Sequence, residues 1–159
     1  MGRPVLIAAT ARHGHFSVYA AHIAQWAWSR GLGVVLLGQD FSGTPAGAWM
    51  AQQGAVREPC PPLELRARCG ATLARAARAH RPEAAFLLHA DELFFEGADL
   101  LEPGWGPPPM PLVALCTFGH RDFHLAHQEP YALRLRAALE RDAPFAAVLT
   151  VDEAHAAHA

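Results

Sequence analysis

The residues able to do chemistry fall in three short stretches of this 159-residue chain. His13 and His15 follow the apolar run Val5 to Thr10. His89, Asp91 and Glu92 close the run Ala84 to His89, and His120, Arg121, Asp122, His124 and His127 follow Leu112 to Cys116. Imidazole and carboxylate groups serve as general acids, general bases or metal ligands near neutral pH. Polar loops of any globular domain collect such residues, so the convergence of three loops carries more weight than any one member. If the runs are parallel strands, all three clusters meet at the carboxyl edge of one sheet, where open α/β sheets bind ligands.

The stretch that must position them is Pro4 to Gly38. Val5 to Thr10 is apolar, partly β-branched, and too short for a helix. From about Ser17 to Arg30, the apolar residues Val18, Ala21, Ala24 (or Ile23), Trp26 and Trp28 recur every two or three positions, as on a largely buried helix. Ser17 suits its N-cap and Gly31 its stop. Val34 to Leu37 is a second apolar strand. Strand, turn, helix and strand make a βαβ unit, and such a crossover predicts two neighbouring parallel strands.

Composition narrows the classes. The length suits one domain, residues 1–159, large enough to bury a core. With a net charge of −2, nothing in the overall balance suggests nucleic acid or an anionic membrane as a partner. No apolar run reaches the roughly 20 residues of a membrane span, and the N-terminus reads as a strand better than as a signal peptide. Cys60, Cys69 and Cys116 lack C-x-x-C spacing and read as reduced thiols of a cytoplasmic protein. H-E-x-x-H does not occur, and no metal site is expected.

The rest of the chain continues the alternation. Thr44 and Pro45 start a short helix to Gln53, closed by Gly54, with an edge strand at Ala55-Val56 and a proline-rich loop from Arg57 to Pro62. Leu63 to His80 reads as one helix, with Leu63, Ala67, Ala71, Ala74 and Ala77 toward the sheet and Arg66, Arg68, Arg75 and Arg78 outward. Ala84 to His89 is a strand, with Ala90-Asp91-Glu92 opening its loop. Glu102 to Pro111 is a rigid connector, Leu112 to Cys116 a strand, and Thr117 to His127 its loop. Pro130 to Arg141 is an amphipathic helix, Ala146 to Val151 the last strand, and Asp152 to Ala159 the opening of a helix. The whole predicts a three-layer, Rossmann-like α/β domain with a mainly parallel sheet.

Two short matches bear on chemistry. Arg12-His13-Gly14 after a strand resembles the opening of histidine phosphatases, whose His is the phosphate-accepting nucleophile; Arg66 and His120 would be its partners. His13-Gly14-His15 is one residue short of the H-x-G-H signature of nucleotidylyl transferases.

A longer likeness runs over nearly the whole chain. Arg30 to Leu37 (RGLGVVLL) is similar to the "RGHEVTVL" step of retaining, nucleotide-sugar-dependent glycosyltransferases of the GT-B fold. His80 to His89 (HRPEAAFLLH) resembles their "RPDVVHAH", Pro111 to Cys116 (PLVALC) their "PLVATVHG", and Arg136 to Ala159 their "E...L..ADAVLTVSEAHA". The order of the pieces carries the resemblance. It implies the N-terminal, acceptor-side half of such an enzyme. Arg12, His13, Gly14, His15 and Phe16 would then lie near the donor phosphates, and His89, Asp91, Glu92 and Arg121 would line the acceptor side. His120 and Asp122 would be catalytic, His120 replacing the family histidine that aligns with Thr117. The implied partners are a nucleotide sugar as donor substrate, a small-molecule or glycan acceptor, and a second, donor-binding domain or subunit. No tightly bound cofactor is implied, and the chain alone is expected to be inactive. A non-catalytic interaction domain is the third reading.

Overall fold

The computed structural model describes residues 2–10, 15–38, 41–96, 98–102, 108–116, 133–134, 136–137, 140 and 144–150. Six strands form one sheet: β1 Gly2–Ala9, β2 Leu32–Gly38, β3 Val56–Pro59, β4 Ala85–Leu88, β5 Leu112–Cys116 and β6 Ala147–Thr150. Their order is β3-β2-β1-β4-β5-β6, and every pairing is parallel. The helices are α1 Phe16–Ser29, α2 Pro45–Gln52, α3 Pro62–Ala67, α4 Cys69–His80 and α5 Asp91–Glu96. Among the described residues, no helix is long and apolar enough to cross a membrane.

Strand alternation divides the core between the two faces. Val5, Ile7 and Ala9 of β1 pack with Val34 and Leu36 against Ala20, Ala24 and Ala27 of α1 and Met50 of α2. Leu6, Ala8, Val35 and Leu37 point the other way, onto Leu65 of α3, Leu73 and Ala76 of α4 and Phe94 of α5. A sheet buried on both sides explains why its strands read as unbroken apolar runs. The first two strands are parallel neighbours joined by α1, as the βαβ reading requires.

Helix ends and faces refine that reading. The carbonyl of His15, not the Ser17 side chain, opens α1, accepting from the N–H groups of Val18 and Tyr19 at 3.0 Å. Ser17 is instead buried, in a stripe with Ala20, Ala24 and Ala27. Small residues along that stripe let α1 lie close to the sheet, and the larger Val18 and Trp26 are left 46% and 45% exposed. Gly31 ends the helix at φ 73°, donating to the Trp28 carbonyl. Thr44 caps α2 by accepting from the Gly47 N–H at 3.0 Å, with Pro45 in the first turn. Trp28 meets Trp49 edge-to-face at 5.3 Å, tying α1 to α2.

The stretch 62–80 is two helices rather than one. The break falls at Arg68 (φ −123°, ψ 44°). Asp99, in the 3-10 turn Asp99–Leu101, stabilises the new helix start: the N–H groups of Gly70 and Ala71 donate to its two carboxylate oxygens at 2.7 and 3.1 Å. A carboxylate there satisfies orphan donors and opposes the helix dipole, which typically stabilises by about 1 kcal/mol. The break also resets the helical phase. Cys69, Thr72, Leu73 and Ala76 face inward, while Ala67 and Ala71 are exposed. The edge strand β3 runs on through Arg57, Glu58 and Pro59, where a loop was expected; an edge position tolerates the missing proline N–H. Asp91 and Glu92 lie in the first turn of α5 rather than in a loop. Leu133, Arg134, Arg136, Ala137 and Glu140 are helical, as the sequence predicts for that segment, although Leu133 is 60% exposed.

Candidate functional site

Strand order proceeds outward in opposite directions from β1 and β4, so the chain leaves a crevice between their carboxyl ends. The register places Ala9 beside Leu88, and hence Thr10 beside His89 at that edge. α1 begins above the end of β1 and α5 above the end of β4. The result is a compact group of chemically capable side chains at the topological switch point.

Phe16, the first residue of α1, stacks on the His89 ring with centroids 4.6 Å apart and planes 17° from parallel. His89 sits between β4 and α5 in a left-handed conformation, φ 60°. For a residue other than glycine this backbone state costs on the order of 1 kcal/mol or more. It brings the His89 carbonyl to the start of α5, where it accepts from the Glu92 N–H at 3.3 Å. One Glu92 oxygen lies 3.5 Å from His89 Nδ1, and the other 3.8 Å from an Arg66 guanidinium nitrogen on α3. Asp91 is fully buried beside them. Thr10, 7% exposed, presents a hydroxyl with no hydrogen-bond partner among the described residues.

Burial dominates the electrostatics of His89. It pushes the imidazole below the ordinary histidine value, against the upward pull of Glu92 and then Asp91, with Arg66 adding to the depression. A neutral imidazole keeps one ring nitrogen as acceptor and the other as donor. The sign of the pH effect follows. An unfolded chain titrates its histidines near pH 6.5, so below that pH it binds a proton that folded His89 resists. His89 therefore contributes stability fully above about pH 6.5, and that contribution is lost as pH falls toward its folded value. Replacing it by Asn, which tolerates the left-handed conformation, should flatten the acid side of the stability profile. Urea midpoints measured between about pH 5 and 7.5 check this; parallel profiles for wild type and His89→Asn would contradict it.

No family model matches the chain. No curated protein is significantly similar to it either.

Of the residues singled out in the sequence, the structure brings together Phe16, His89, Asp91 and Glu92. His15 is exposed at the mouth of α1, its ring 6.3 Å from Tyr19. Arg12, His13, Gly14, His120, Arg121 and Asp122 lie outside the described residues. Arg66 joins the group from α3, on the same face of the sheet as α5, as the partner of Glu92. Thr10 was missed. Its signal was a polar residue ending an otherwise apolar strand. Among the described residues, no group of three or more His, Cys, Asp or Glu side chains is placed to hold a metal ion.

Proposed function

We propose that this chain is the acceptor-side domain of a retaining, nucleotide-sugar-dependent glycosyltransferase, completed by a donor-binding domain. The observation that carries the reading is the stacking of Phe16 on His89 at the β1/β4 switch point of an all-parallel sheet. Ligands of such sheets bind in this crevice, and the resemblance to GT-B enzymes puts the acceptor and the donor phosphates on the same edge. The start of α1 suits the phosphates. Among the described residues it has no acidic residue in its first turn and no side-chain cap, so the positive end of its dipole suits an anion near the N–H groups of Phe16 and Ser17. On the acceptor side, the Glu92 carboxylate and the His89 imidazole supply hydrogen-bond acceptors of the kind that hold sugar hydroxyls. In this reading His120 and Asp122 are the catalytic pair, with Arg121 beside them. A half-site supplies few of the donors that make phosphate recognition tight, so the chain alone binds its donor weakly.

The histidine phosphatase reading asks Arg66 to join His13 around a phosphoryl group. Arg66 is instead placed against Glu92, a carboxylate that repels phosphate. Calorimetry and NMR titration with a panel of nucleotide sugars test the choice. Weak binding is expected, with shifts concentrated at Phe16, His89 and Glu92. Hydrolysis of an aryl phosphate that disappears in His13→Ala would overturn it, since that variant removes a phosphatase nucleophile.

A further inference from the structure

A second feature lies at the opposite, amino edge of the sheet. Arg3 near the start of β1, Pro82 ahead of β4 and Pro109 ahead of β5 form a cleft with Ala77, Arg78 and Arg81 at the end of α4. Its volume is about 510 Å³. The proline side walls are conformationally stiff. It is separated from the His89 crevice by the length of β1, about 20 Å at strand rise.

Arg3 is held in place. Its Nε donates to the Arg81 carbonyl at 2.8 Å and one terminal nitrogen to the Pro82 carbonyl at 3.1 Å. A guanidinium has five N–H donors, so these bonds fix its plane and leave others for a ligand. Glu83, 3.7 Å from Arg3, is its ion-pair partner and offsets its charge. Arg3 therefore offers N–H donors, while Arg78 and Arg81 supply the net positive charge of the cleft. Arg78 and Arg81 make no ion pair among the described residues. Cations at a helix C-terminus oppose the dipole, but that role does not require Arg81 where it stands. Arg81 is left-handed, φ 50° and ψ 53°, at the C-cap of α4, a conformation that favours glycine.

We infer that this amino-edge cleft binds a phosphate-bearing anion through Arg3, Arg78 and Arg81. The ligand is either a free phosphate ester or a phospholipid headgroup, and it binds independently of the carboxyl-edge site. Guanidinium groups match phosphate oxygens bidentately, and the apolar sides of Ala77, Pro82 and Pro109 suit the organic part of an ester.

The test uses the full chain with two probes: inorganic pyrophosphate, and phosphatidylcholine vesicles with or without phosphatidylglycerol. Saturable binding to at least one anionic probe is expected, weakening as salt rises. Arg78→Ala and Arg81→Gly should each lower the affinity about tenfold or more, the loss of one charge-assisted contact. Arg81→Gly also relieves the left-handed backbone, so its melting temperature should stay level or rise, which separates lost binding from lost folding. Pyrophosphate binding assigns the site to a free ester; vesicle binding that needs phosphatidylglycerol assigns it to a headgroup. Binding to neither probe, or binding that survives both substitutions, overturns the inference.

Discussion

Gly38→Ala is expected to destabilise the chain by about 2–5 kcal/mol, a large share of the 5–15 kcal/mol typical of a domain. Two separate costs add. Gly38 ends β2 at φ 92°, where an L side chain is strained by roughly 1–2 kcal/mol. A Cβ would also lie 2.6 Å from the Ala9 carbonyl oxygen and 2.9 Å from Leu65 Cδ2. Leu65 can shift, but the Ala9 backbone is fixed by its pairing with both β2 and β4. Overpacking of that kind adds about 1–3 kcal/mol. Gly31→Ala is the comparison, because Gly31 has φ 73° but open space around its Cβ position. It should lose only the backbone part. Equal urea midpoints for the two variants would show that the approach of β1, β2 and α3 at this edge is looser than described.

The contrast between these glycines bears on what could be read from the sequence. Gly31 announced itself, because it follows a helical pattern and precedes an apolar run. Gly38 carries no such local signal; its tightness comes from Ala9 and Leu65, which are distant in the chain. Thr44, Pro45 and Gly54 were legible for the same reason as Gly31: capping and stop chemistry are local. The apolar β1, β2 and β5 were legible because a sheet buried on both faces leaves little ambiguity. The segment 62–80 was not. With alanine at so many positions, no amphipathic stripe fixes a single phase, and the break at Arg68 depends on Asp99, 28 or 29 residues beyond the N–H groups it caps. Likewise the inward face of α1 is marked by Ser17 and alanines, so large apolar residues were a misleading guide to it.

For the candidate site, topology was legible and contact was not. Parallel strands joined by helices send the segments after β1 and β4 to one edge, whatever their residues. That Phe16 would lie flat on His89 depends on where α1 starts, two residues earlier than a Ser17 cap suggested. The approach of Arg66 to Glu92 depends on the kink at Arg68 that frees α3 from the line of α4. Local sequence records neither.

Phe94→Ala should cost about 3–5 kcal/mol, as usual for emptying a fully buried phenylalanine site, and should also disturb the site from within its support. Phe94 is 0% exposed and belongs to α5, the helix that carries Asp91 and Glu92. Its ring lies 5.7 Å from Phe145, and its carbonyl accepts from Arg134 at 2.7 Å, so α5 is pinned on the side away from the crevice. Without the ring, α5 can settle toward the void, and Glu92 moves with it relative to His89 and Arg66. The burial that holds the His89 imidazole below its ordinary pKa then weakens, and its titration should move up toward the usual histidine value. Leu73→Ala is the matched control. It empties an equally buried position on α4, with an expected cost of about 2–5 kcal/mol, but leaves α5 seated. NMR titration of the His89 ring protons, run on both variants where they remain folded, distinguishes the cases. An upward shift confined to Phe94→Ala means that α5 holds the site in register. Identical His89 titrations in both variants would mean that Phe94 acts on stability alone, and that the geometry around His89 is set by β4 and Phe16 without help from the helix that follows.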